Sequence, residues 1–240
     1  MKIAEIVSTK LSSQISKEAH KSKVKHYTLR DYETVIEKIE QNAFEYVNGM
    51  IYWRYSQKIL PAVIVDFILD NKYDEDIFSQ LLAHYELMGH TKNHSKIAAN
   101  LNMELAKQLD SEDFLVRMED PKLEIPDKKK SRIADIVISS SKHELFTKNH
   151  RLQNPLVLIE IASPATSEVD KTDKLKEYRS IESLQEYIMV EQEQISIEQY
   201  IRKAENKWET DTLNSGNLVL PSVKAKIAVD KIYRGVEIKK

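Results

Sequence analysis

Two apolar runs each carry a single acid. Ile133-Ala134-Asp135-Ile136-Val137-Ile138 holds Asp135, and Leu156-Val157-Leu158-Ile159-Glu160-Ile161-Ala162 holds Glu160. A carboxylate within a continuous apolar strand is costly to bury unless it is paired or binds a metal. Two of them on neighbouring strands could hold one divalent cation through oxygen ligands, the donor type that Mg²⁺ prefers. The alternative is that each acid lies near a strand end and faces water or a lysine. Beyond the second run, Ser163-Pro164 stops the strand, and Asp170, Lys174 and Tyr178 fall four apart, on one face of the helix that follows. The start of that helix lies next to the end of the Glu160 strand, so Lys174 can turn back toward the acids. Asp170 either positions Lys174 or forms with it only an exposed ion pair, of about 0.3–0.5 kcal/mol.

Other candidate groups carry weaker signals. His94 opens an amphipathic helix, where it could contact phosphate or make a helix-start hydrogen bond. Tyr178 suits core packing with its hydroxyl tied to a neighbour. Ser163 lacks the G-x-S-x-G elbow of a serine nucleophile and reads as a strand-ending cap. His84 and His90 flank a helix end, and no zinc site is assigned to them.

The elements that must position these groups follow from periodicity. Tyr27 to Glu40 predicts a short helix with Thr28 as N-cap. Phe44 to Tyr52 predicts two short strands around Asn48-Gly49, a strong hairpin dipeptide. Residues 58–70 and 75–89 predict a helical hairpin inserted into the surrounding fold, an insertion spanning about 56–89. Residues 93–109 form the clearest amphipathic helix, with Ile97, Leu101, Leu105 and Leu109 four apart. The period then shortens. Strands are expected at 114–117, 123–125, 133–138 and 156–162, a helix at 165–182, strands at 186–190, 195–202 and 207–212, and a closing helix at 227–234. The order predicts an α/β (α+β) chain with a central mixed sheet flanked by helices.

Composition narrows the chemistry. The 240 residues suit one large domain or one domain with a decoration. The absence of cysteine excludes disulfide scaffolds, thiolate zinc sites, iron–sulfur clusters and cysteine nucleophiles. With 4 Gly and neither GxGxxG nor GxxxxGK(S/T), no nucleotide cofactor is expected. No run approaches the ~20 apolar residues of a membrane span, and the first residues do not have the pattern of a signal peptide. The chain is expected to be cytoplasmic. Net charge is −2, but residues 1–30 carry seven Lys or Arg against Glu5 and Glu18, whereas residues 31–90 carry four basic and eleven acidic residues. Residues 1–26 thus read as a basic arm, able to follow a phosphate backbone or simply solvated, ahead of a domain at 27–240.

The segments EIASPAT, DKTDKLKEYR and SLQEYIMVEQ, in that order and spacing, resemble the Uma-two family of restriction-endonuclease-like proteins, a bacterial branch of the PD-(D/E)XK nuclease superfamily. The resemblance continues through IEQYIRK, Trp208, Leu220-Pro221-Ser222 and IYRGVEI. Upstream, YTLRDY, Glu45-Tyr46-Val47-Asn48-Gly49 and Asn93-His94-Ser95 also match family segments. Departures are Ala134 where the family has Pro, Ala165 for Ser and Asn48 for Asp. Ala162 stands where the superfamily has its lysine, which makes Lys174 the candidate for a migrated one.

The resemblance implies a restriction-endonuclease-like fold and metal-assisted phosphodiester hydrolysis of DNA. Asp135, Glu160 and the carbonyl of Ile161 would hold Mg²⁺ or Mn²⁺. Glu45 would orient the attacking water or ligate a second ion, and Lys174 would stabilise transition-state charge. Asp170, His94 and Tyr178 would support the site. A homodimer is implied by analogy with restriction-type nucleases. The alternative is a non-cleaving nuclease-fold protein that binds nucleic acid or a protein partner, toward which the acidic 31–90 segment points. A third expectation makes the 56–89 hairpin a partner-binding device with a spare apolar face.

Overall fold

The computed structural model describes residues 25–39, 43–70, 74–85, 87, 89–127, 129–163 and 169–239. The expected basic arm therefore lies outside the described residues, apart from Lys25 and His26; Lys25 pairs with Asp66 at 2.7 Å. The chain divides into two compact units, Met1–Met88 and Gly89–Lys240.

In the first unit, helix α1 (Leu29–Ile39) begins at a reciprocal cap: the Asp31 amide donates to Thr28 Oγ1, and the Thr28 amide donates to Asp31 Oδ2. Strands β1 (Phe44–Val47) and β2 (Met50–Trp53) form the predicted hairpin, with Asn48 and Gly49 both at positive φ, and β3 (Lys58–Ile59) pairs with β2. Of the helix expected over 58–70, Lys58 and Ile59 form β3 and helix α2 (Ala62–Leu69) starts only after Pro61; α3 (Glu75–His84) starts after Asp74, whose carboxylate accepts the Ile77 amide, and ends short of the expected residue 89. The apolar faces of both helices, through Ile64, Ile68, Phe78 and Leu81, are buried in one core with Tyr32, Val35 and Phe44.

The second unit is organised by a six-stranded sheet. Its strands are β4 (Phe114–Met118), β7 (Ile136–Ser140), β8 (Val157–Ala162), β9 (Glu186–Glu191), β10 (Ile197–Ala204) and β11 (Lys207–Leu213), side by side in the order 11-10-9-8-7-4. Short strands β5 (Leu123–Glu124) and β6 (Lys130–Arg132) pair with each other. Every neighbouring pair of the large sheet is antiparallel except β8 and β9, which are parallel. A parallel pair needs a crossover over one face of the sheet. Here it carries a π-helical turn (Asp170–Lys174) and helix α5 (Leu175–Arg179). The helix expected at 165–182 ends at Arg179, three residues early; residues 164–168 lie outside the described residues.

Strand alternation divides β8 between two cores. Val157, Ile159 and Ile161 face Ile97, Leu101 and Leu105 of helix α4 (Lys92–Ala106), while Leu158 shares a core with Tyr178 and Tyr187 on the crossover side. Full burial of each of these apolar side chains contributes about 1.5–3 kcal/mol. The chain closes with a hairpin, β12 (Asn217–Leu220) and β13 (Ala225–Ala228), followed by a single helical turn, α6 (Val229–Ile232). The closing helix is thus shorter than expected, because Ala225 and Ile227 alternate into the core as strand residues. The run 133–138 is likewise not one strand. The Asp135 carbonyl accepts the Glu119 amide and its side chain accepts the Ile161 amide, so β7 begins one residue later.

Buried Glu186 pins the turn between β12 and β13. Its Oε1 accepts the amide and hydroxyl of Ser222, at 2.9 and 2.5 Å, and its Oε2 accepts Gln199 Nε2 at 3.2 Å. Burial raises its pKa above the usual 4.5, against the opposing pull of the Ser222 hydrogen bonds. A carboxyl with a higher pKa folded than unfolded binds its proton more tightly in the folded chain. The stability this adds is complete below about 4.5 and is lost as pH rises through the folded value. Glu186→Gln is therefore expected to remove that part of the pH dependence, gaining on wild type as pH climbs from 4 to 7. Parallel thermal-unfolding curves for the two proteins across that range would rule this out.

Candidate active site

The parallel β8–β9 crossover builds the site. Glu160 lies on the central strand β8, all six residues of which are buried. Ile136 pairs with Ile159, so extending that register by one residue sets Asp135 opposite Glu160. Glu160 Oε1 accepts hydrogen bonds from Lys174 Nζ at 3.1 Å and from the Tyr178 hydroxyl at 2.7 Å. Lys174 Nζ also lies 3.0 Å from Asp170 Oδ1. The four-residue spacing read from the sequence thus does bring Asp170, Lys174 and Tyr178 to one face, and that face is the one laid over Glu160.

The Asp170–Lys174 pair is not the exposed surface pair considered above. The two side chains are 2% and 4% exposed, and that of Glu160 is 3% exposed. Such a buried ammonium is held by two carboxylates, and losing the ammonium leaves both carboxylates without it. Tyr187 closes the floor, donating its hydroxyl to the Asp170 carbonyl at 3.2 Å and meeting Tyr178 edge to face at 5.3 Å. Its pKa is held well above the usual value of 10.0, first by burial and then by the charges of Asp170 and Glu160. It is a fixed hydroxyl donor.

Asp135 is bound from two directions. Its Oδ2 accepts the Ile161 amide at 2.7 Å, and His94 Nε2 lies 3.1 Å from the same oxygen. His94 is placed by the start of α4, where Thr91 is the N-cap and its Oγ1 accepts the His94 amide at 3.1 Å. The His94 ring stacks on His90, with centroids 3.9 Å apart, and His90 Nε2 contacts Glu119. His90 and Glu119 were given no role from the sequence. The four-residue spacing of His90 and His94 was the available signal. Glu45 stands in the first unit, buried in β1, where Gln57 Nε2 donates to its Oε2 at 2.9 Å.

The donor set suits a hard cation. Asp135, Glu160 and Asp170 are buried carboxylates, which offer the oxygen donors that a hard divalent ion takes. Among the described residues no group of three His, Asp or Glu side chains could hold a metal ion. The arrangement therefore fits an ion held by one or two carboxylates and completed by backbone oxygen, water or substrate phosphate, as is usual for Mg²⁺, and not an all-protein cage. Among the described residues no helix is long and apolar enough to cross a membrane.

Comparison with known proteins agrees with this architecture. The crystal structure of a "putative nuclease belonging to DUF820" from Anabaena variabilis superposes with a TM-score of 0.50, covering 83% of this chain and 97% of that one; at 15% identity the likeness is one of fold. The uncharacterized protein slr1290 of Synechocystis sp. is 27% identical over 153 residues, 63% of this chain and 80% of that protein. A second uncharacterized Synechocystis protein, sll1609, is 25% identical over 124 residues, 51% of this chain and 70% of its own length. The Uma2 family model, described as "Putative restriction endonuclease", matches residues 84–227, more than half of the chain and the whole of the Asp135–Glu160–Lys174 region. This chain belongs to the Uma2 family.

Proposed function

We propose that this protein is a divalent-metal-dependent nuclease that hydrolyses phosphodiester bonds of DNA. The observation that carries the reading is the buried cluster in which Asp135, just ahead of β7, lies opposite Glu160 of β8 and Lys174 reaches Glu160 from the crossover. In this reading Asp135, Glu160 and the Ile161 carbonyl hold Mg²⁺ or Mn²⁺. The ion supplies Lewis-acid polarisation of the phosphate and lowers the pKa of the attacking water. Lys174 presents its ammonium to the negative charge that develops on the phosphate. Asp170 is the second carboxylate on that ammonium, and the Tyr178 hydroxyl fixes the Glu160 carboxylate. Glu45 belongs to the other unit, and the assignment does not depend on it.

A second reading, a nuclease-fold protein that binds nucleic acid or a protein partner without cleaving, draws on one observation. The charged groups of the cluster are buried and bonded to one another. Mn²⁺ titration calorimetry on wild type and an Asp135→Asn/Glu160→Gln double variant, paired with cleavage of plasmid DNA in Mg²⁺, separates the two. Binding and cleavage in wild type, both lost in the variant, are expected for the nuclease. DNA binding without cleavage at any metal concentration would overturn the nuclease reading in favour of the second.

A further inference from the structure

The geometry points to His94 as a positioning residue that sets the orientation of the Asp135 carboxylate for the ion; this rests on the metal-dependent reading above. Asp135 stands at the break between β6 and β7, where no strand ladder fixes its backbone. Among the groups that hold it are three donors. The Glu119 amide donates to its carbonyl at 3.0 Å, the Ile161 amide to Oδ2 at 2.7 Å, and His94 Nε2 lies 3.1 Å from Oδ2. The histidine reaches the carboxylate from helix α4, outside the sheet.

Its own placement is tightly specified. The His94 side chain is 8% exposed, the Thr91 cap holds its backbone, and the His90 ring covers its face at a 16° tilt. Nδ1 is buried and makes no hydrogen bond. The tautomer with the proton on Nε2 is therefore the one that makes the Asp135 bond, and contact with Asp135 is the single polar task of the ring. Two N–H donors converging on one carboxylate oxygen stop the carboxylate rotating about its χ2 axis. A ligand held in one orientation binds its ion without first being ordered.

The test compares Mn²⁺ affinity, by titration calorimetry, in wild type, His94→Gln, His94→Asn and Glu160→Gln. Glutamine can place its amide nitrogen near the position of Nε2, whereas asparagine, of similar polarity, is too short to reach Asp135. His94→Gln is expected to stay within about 3-fold of wild type, and His94→Asn to lose about 10–100-fold, the range for outer partners of metal ligands. Near-UV circular dichroism and thermal unfolding check that both variants fold. If His94→Asn fails to fold, Gln against Leu gives the same contrast in the folded fraction retained at saturating Mn²⁺. Equal affinities for the Gln and Asn variants, or wild-type affinity in His94→Asn, would overturn the positioning role while leaving the metal site standing. Absence of Mn²⁺ binding by wild type, or its full retention in Glu160→Gln, would overturn the metal reading itself and this role with it.

Discussion

Glu160→Ala is expected to lower Mg²⁺-dependent DNA cleavage by about 10³-fold or more while the chain stays folded. The proposed ion loses one of its two carboxylates, and the reacting phosphate loses the polarisation that the ion supplies. The structural cost is smaller. Lys174 keeps Asp170 at 3.0 Å, and Tyr178 loses the acceptor now 2.7 Å from its hydroxyl. A buried donor stripped of its partner costs about 1–3 kcal/mol, which a domain of this size can tolerate. Glu160→Gln, which keeps an acceptor for Tyr178, should recover most of the stability and none of the activity. The measurement is initial cleavage rate against Mg²⁺ concentration, beside urea unfolding of each variant. Wild-type rates in either variant would remove Glu160 from the site.

Lys174→Met is expected to injure both stability and activity. Its ammonium lies 3.1 Å from Glu160 and 3.0 Å from Asp170, with all three side chains almost fully buried. Removing this cation leaves two carboxylates facing each other across an apolar side chain. Breaking a buried pair in this way costs about 3–5 kcal/mol, and loss of a transition-state cation costs about 10²–10³-fold in rate. Arginine should not rescue: the guanidinium is larger and planar, and the pocket seats a compact point charge. Divalent ion should partly restore the stability of Lys174→Met, because binding to the folded state alone raises its stability. Urea unfolding with and without Mn²⁺ reads this directly. A variant that is fully stable and fully active would show that Lys174 neither holds the cluster together nor serves the reaction.

Much of the cluster was legible because it violates the local pattern. Asp135 and Glu160 stand out as charges within apolar runs, and Lys174 and Tyr178 fall into phase with Asp170 at helical spacing. These are local signals, and the crossover turned them toward Glu160 as the spacing implied. The contact of His94 with Asp135 was not legible, because it joins residues 41 positions apart and depends on how α4 packs on the sheet. The break before β7 was hidden for a related reason. The hydrogen bonds that replace the ladder at Asp135 come from Glu119 and Ile161, and nothing in the run 133–138 announces them. The β12–β13 hairpin was missed although Leu218, Leu220, Ala225 and Ile227 alternate in the strand manner. Its turn has no glycine to mark it; Lys224 takes the left-handed conformation at φ 57° instead.

The outermost strand β11 bears on how two copies of this chain could meet. Most of its residues are exposed, and Lys207, Glu209 and Asp211 stand along it in alternation, next to a register shift between Arg202 and Ala204 on β10. An open strand edge invites a neighbouring molecule to add its own strand; a row of charges and a bulge deter it. Each extra strand laid against β11 would have to bring these groups out of water beside their like. This edge of the sheet is therefore guarded against the addition of a further strand, and a second copy meeting it would do so through side chains rather than through a backbone ladder.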